Sequence, residues 1–217
     1  MNRAALRQIV AGDLDPVRPL LPPSRRALLL APLALATVIA IPSLNFYRPD
    51  LLEIGVLRIW TLSMVEAVGG LFLIGLAMRE SIPGRNLSAG ATWLALVGGL
   101  ALPVVLYLLA ADRFDVGPSA RALPMVSAIC FRTSAAAAIP ALIVATALVA
   151  RALPLRPGVA GGFYGLGCGV IADAGMRLFC EFTIPAHVIS AHFGAIVASM
   201  LAGALIARLP AGRVRLR

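Results

Sequence analysis

The apolar residues of this chain are gathered into long blocks, and that clustering decides what the chain can fold into. Blocks of about 20 apolar residues are long enough to cross a ~30 Å hydrocarbon layer as helices. Lipid cannot satisfy backbone polar groups, so a helix, which bonds itself, is the natural spanning form. A β-barrel would need short alternating strands, and the sequence has none. Only 13% of the 217 residues are charged, about half the share that keeps a soluble domain wet. The expected fold class is therefore all-α: a polytopic membrane bundle of about six helices.

The blocks divide the chain into a polar, Pro-rich leader over 1–26, a membrane domain over 27–209 and a basic tail over 210–217. Spans are predicted at 27–44, 55–78, 90–111, 133–150, 159–178 and 188–209, with a kink in the first from Pro32 and Pro42. The longest polar connection, DRFDVGPSARALPMVS, separates the third from the fourth. No cleavable signal is expected, because the first apolar run starts only near Ala27 and lacks a small-residue cleavage site.

All 19 basic residues are Arg, and the net charge is +9. Such charge can suggest nucleic acid, but here the Arg residues flank apolar blocks, where membrane orientation accounts for them and no direct nucleic-acid contact is expected. The leader, second loop, fourth loop and tail hold 13 of them and the opposite side 6. Basic residues stay on the cytoplasmic side during insertion, which predicts that both termini face the cytoplasm.

Helices in lipid associate by close packing, so small residues mark their seams. Gly161, Gly165 and Gly169 make such a stripe on the fifth span, and Gly194, Ala198 and Ala202 offer another on the sixth. A stripe of this kind suits a homodimer face or packing within one chain, and six spans per chain favour the second.

The candidate chemistry is sparse. Glu66 lies near the middle of the second span and Asp173 in the outer part of the fifth, where ionised carboxylates are costly. Together they could serve a proton or cation pathway, making the chain a small transporter or metal-efflux protein. Alternatively each is a paired carboxyl that fixes helix register, with Arg58, Arg132 or Arg177 as partner. Cys130 falls just before the fourth predicted span and Cys180 just after the fifth, both on the outer side. They could form a disulfide or share a soft metal ion, with His187 and His192 adding imidazole ligands. Two Cys some 50 residues apart carry no ligand-spacing signal, however, and spacing alone favours unrelated residues. Histidines five apart on one α-helix point about 140° away from each other. Cys168, beside the glycines, reads as an inert packing residue. No HExxH, Walker loop, GxSxG or Ser/His/Asp arrangement is present, so no enzyme is expected.

Several short motifs carry a family resemblance. The leader GDLDPVRPLLPPSRRALLL, the turn RESIPG, Cys130 ahead of the fourth predicted span, and CEFTIPAHVISAHFGA with Cys180, His187 and His192 resemble the NrsF family. Its members are six-span bacterial proteins, negative regulators of an extracytoplasmic-function sigma factor. Phe179 stands where many members carry a His before the second Cys. The resemblance implies an anti-sigma factor in the inner membrane that holds its sigma factor at the cytoplasmic side. An outer-side redox or heavy-metal signal, sensed by Cys130 and Cys180, would release it. No resident cofactor is implied beyond a transient heavy-metal ion. The leader is then the expected partner contact, because a Pro-rich segment is already extended and loses little entropy on binding. Leu14, Val17, Leu20 and Leu21 would supply apolar anchors around Pro16, and Arg18, Arg25 and Arg26 would meet an acidic partner.

Overall fold

The computed structural model describes residues 2–5, 12, 19–110, 115–152 and 154–209. Among them are six helices long and apolar enough to cross a membrane, and no strand. We label them α1 (Pro23–Leu44), α2 (Val56–Glu80), α3 (Ala89–Ala110), α4 (Leu123–Ala150), α5 (Pro157–Met176) and α6 (Pro185–Ile206). The all-α fold and the six spans expected from the apolar blocks are both present.

Local chemistry sets the breaks. α1 is two pieces, Pro23–Leu28 and Ala31–Leu44, because Pro32 has no N–H to continue the first piece's ladder and sits at the start of the second. A single turn, Leu51–Ile54, precedes α2 and ends at Gly55, whose φ of 100° lies in the left-handed region that glycine tolerates. Within α6, residues Val188–Phe193 form a π-helical turn.

The centre of the bundle is α5. Its most apolar window is 94% buried, against 22–44% for the other five spans. Every residue from Ala160 to Met176 is buried. Glycine makes this possible. A Cβ at Gly161 would lie 2.3 Å from the Gly203 carbonyl oxygen, and one at Gly165 would lie 2.3 Å from that of Ser199. A second contact puts Gly167 against α2, where an added Cβ would meet the Gly70 carbonyl oxygen at 2.5 Å. The stripe on α5 is thus spent on packing within the chain. The matching seam on α6 is not Gly194, Ala198 and Ala202, as expected, but Ile196, Ser199, Gly203 and Ala207. Those four are buried, whereas Gly194, Ala198 and Ala202 are only partly covered. Both sets, Ala207 apart, lie in the regular α-helical part of α6, Gly194–Ile206, and counting small residues does not decide which face turns toward α5.

The largest boundary difference is at the fourth span. α4 begins at Leu123, ten residues before the predicted start at 133, and its first five residues, Leu123–Ser127, belong to what read as polar connection. Ser127, Cys130 and Ser134 follow at helical spacing on its buried face. Pro124 in its first turn is compatible with a helix start.

Candidate functional site

The site lies where α4 and α6 begin and α5 ends. Three loops meet over it. The Val116 carbonyl accepts from the backbone N–H of Thr183 (2.7 Å) and of Ile184 (3.1 Å), and the Arg48 N–H donates to the Leu178 carbonyl (3.0 Å). The Arg48 side chain is braced by Asp50, donating from Nε (2.6 Å) and Nη2 (2.7 Å). The Tyr107 hydroxyl, from the end of α3, donates to the Thr183 carbonyl.

Beneath these loops Cys130, Cys180 and His187 converge. Their two sulfurs and one ring nitrogen all lie within 4.8 Å of one another. Cys130 and Cys180 are both free thiols. Cys180 Sγ sits 3.3 Å from His187 Nε2, while His187 Nδ1 is 3.0 Å from Ser127 Oγ. The hydroxyl fixes the ring so that Nε2 faces the sulfurs, the arrangement by which a neighbouring group orients a histidine ligand. Phe182 covers the same ring edge-on, its centroid 5.5 Å away. Cys130 stands in the second turn of α4 rather than ahead of the span, and it therefore points into the bundle. The sequence spacing that favoured unrelated thiols was misleading, because the fold brings together residues from three elements. The contact with Cys130, followed by burial, holds the Cys180 thiol above its ordinary value.

Beside this trio the two intramembrane acids are paired. Glu66 Oε2 accepts from Arg177 Nη2 (2.7 Å) and Nε (3.0 Å), selecting one of the three partners that the sequence allowed. Asp173 instead meets His192, with Oδ1 2.7 Å from Nδ1. The π-turn widens the helix so that residues five apart approach one face, and the His187 and His192 rings come within 5.4 Å of each other. The 140° divergence expected for an α-helix does not apply. His192 nevertheless lies outside the tight trio, engaged by Asp173, so the donor set for an ion is S, S and N. Such a set suits soft thiophilic metals, and the Ser127 contact is the kind of support that a ligating histidine needs. Cys168 is fully buried against the packed helices, as expected of a packing residue.

Sequence reasoning missed Ser127 and, at the other end of the bundle, a clamp built on Glu80. That carboxylate is fully buried, pairs with Arg156 at 2.7 Å and also accepts from Asn86 and from the Leu87 backbone N–H. Arg26 donates nearby to Ser81 Oγ and the Leu148 carbonyl. Arg26 is thus held by the bundle rather than displayed for a partner. Of the leader residues expected to make that contact, Leu20 and Leu21 are exposed just ahead of α1. Leu14, Pro16, Val17 and Arg18 lie outside the described residues.

The family model NrsF, described as negative regulator of sigma F, matches residues 10–210. The chain belongs to the NrsF family. The match takes in all six spans and both thiols, and the family is one of regulators rather than enzymes. Comparison with curated proteins and with solved structures gives no match. Membership in NrsF makes this membrane bundle a negative regulator with a sigma factor as its partner.

Proposed function

We propose that the chain is an inner-membrane anti-sigma factor with both termini in the cytoplasm, which holds an extracytoplasmic-function sigma factor through its leader and releases it when the Cys130–Cys180–His187 trio reacts at the outer side. The observation that carries this reading is the convergence of the trio at one end of the bundle, while the leader enters α1 at the other. The Arg asymmetry supports the sidedness, since the end bearing Pro23, Glu80 and Arg156 is the Arg-rich one. Two signals suit the trio. Oxidation would join the sulfurs, which must close to about 2.05 Å. A thiophilic ion would bind both sulfurs and His187 Nε2. Either event draws α4 toward the α5–α6 connection, so the ends of three spans shift together. Those spans reach the opposite end at Ala150, Pro157 and Ile206, close to where Arg26 anchors the leader.

The test is a sigma-dependent reporter in cells carrying the full-length chain. Cys130→Ser and Cys180→Ser should each remove induction by cadmium or diamide while the protein stays in the membrane and still represses. Unchanged induction in both variants would show the thiols to be bystanders. The transporter alternative has less support, because Glu66 is held by Arg177 and Asp173 by His192.

A further inference from the structure

A cavity of about 440 Å³ opens beside the trio, between α3, α5 and α6. It has the size of a small-molecule site. Its walls are mostly apolar, including Pro103, Val104, Leu108, Val188 and Phe193. Val104, Leu108 and Ile189 on these walls are exposed in the isolated chain, so they face hydrocarbon when the bundle is in a bilayer. The mouth is therefore reached from lipid.

The cavity also has chemistry at its inner end. Cys180 is on its wall and Cys130 is not, so an occupant meets one sulfur with the second within 4.8 Å of it. Arg177 lines it too and is 91% buried by the bundle, being 9% exposed. Its Nε and Nη2 are taken by Glu66, and its Nη1 hydrogens have no acceptor among the described residues. A site with mostly apolar walls, a lipid-side mouth, a dithiol and a cationic donor beside the mutually paired Asp173 and His192 fits a flat apolar molecule with carbonyl oxygens that can take up electrons.

We propose that this cavity binds a membrane-soluble quinone, which oxidises the Cys130–Cys180 pair to a disulfide. The inference rests on the thiol-sensing reading above and names its oxidant. The balance closes within the site: two S–H bonds break, one S–S bond forms, and the two electrons and two protons convert the quinone to its hydroquinone. Cys180 is the sulfur that meets the quinone, and Cys130 completes the disulfide. The signal is then the oxidation state of the membrane quinone pool.

The experiment uses the purified full-length chain in quinone-free nanodiscs, without oxygen, with decylubiquinone added. Free thiols are counted by mass-tagging, and hydroquinone is followed by its absorbance. The expected result is loss of two of the three free thiols, with one hydroquinone formed per disulfide. Val104→Trp and Val188→Trp, each filling the cavity from a different helix, should slow this reaction at least tenfold while leaving oxidation by hydrogen peroxide unchanged. Peroxide reactivity thus checks that the variants are folded. Oxidation by peroxide but not by decylubiquinone would overturn the quinone site and leave the thiol reading standing, as would filled cavities that react at the normal rate or slow both oxidants equally. Failure of both oxidants to join the thiols would remove the oxidative reading and this inference together, leaving only the metal-ion signal.

Discussion

Replacing Arg177 by Met should be among the most destabilising single changes in the membrane domain. The substitution keeps much of the side-chain volume but leaves the Glu66 carboxylate, fully buried in α2, with no counter-charge. Removing one partner of a buried ion pair costs about 3–5 kcal/mol. The geometry places this pair near the low end, because both guanidinium contacts fall on Oε2 while Oε1 has no partner. A loss of about 3 kcal/mol is therefore expected. Replacing both members by apolar residues, Glu66→Leu with Arg177→Met, removes the stranded charge and should recover most of that loss, since such exchanges are often neutral. Thermal unfolding in detergent can be followed with a thiol-reactive fluorophore in a Cys130→Ser, Cys180→Ser background, because the remaining, fully buried Cys168 becomes reactive only when the helices separate. Arg132→Met, at an exposed position, is the control. If Arg177→Met melts like this control, or the double variant is no more stable than the single one, the pair does not hold α2 to the end of α5.

Gly165→Ala should loosen the contact between α5 and α6, because its Cβ would lie 2.3 Å from the Ser199 carbonyl oxygen, which is backbone and cannot rotate away. A cost of about 1–3 kcal/mol is expected, whereas Gly98→Ala, with nothing within 4 Å, should leave the same melting curve unchanged. The Cys180 thiol, held above its ordinary value by Cys130 and by burial, should stay protonated through neutral pH. Its alkylation rate should keep rising with pH beyond the ordinary thiol value of about 8.5. Cys130→Ala should move that rise to lower pH, and a profile that levels off near neutrality in the parent chain would contradict the assignment.

The sequence made the spans legible because hydropathy reports directly on which segments lipid will accept. It did not make the site legible, because the trio depends on registers that hydropathy does not encode. Ser127 and Cys130 looked like connecting chain since a buried polar face and a solvent-facing loop have the same composition. The π-turn at Val188–Phe193 carries no clear sequence mark, yet it brings the His187 and His192 rings together. Glu80 escaped notice because an acid next to a turn normally faces water. Its three acceptor contacts come from residues 6, 7 and 76 positions away, in two different connections. Arg177 was one of three candidate partners for the acids, and only the end of α5 puts it within reach of Glu66.

The enclosure of α5 bears on how the chain enters the membrane. This segment has the lowest mean hydropathy of the six, 1.2 against 1.8–2.2, and it is the one that the finished bundle shields from lipid. Glycine contributes little to partitioning, so α5 has the weakest drive to leave the insertion machinery alone. It gains its surroundings from helices on both sides of it in the chain, α2 made earlier and α6 made later. Until α6 emerges, the backbone groups along the glycine stripe have no neighbour to cover them. Completion of the sixth helix is therefore the step that commits the fifth to the bilayer.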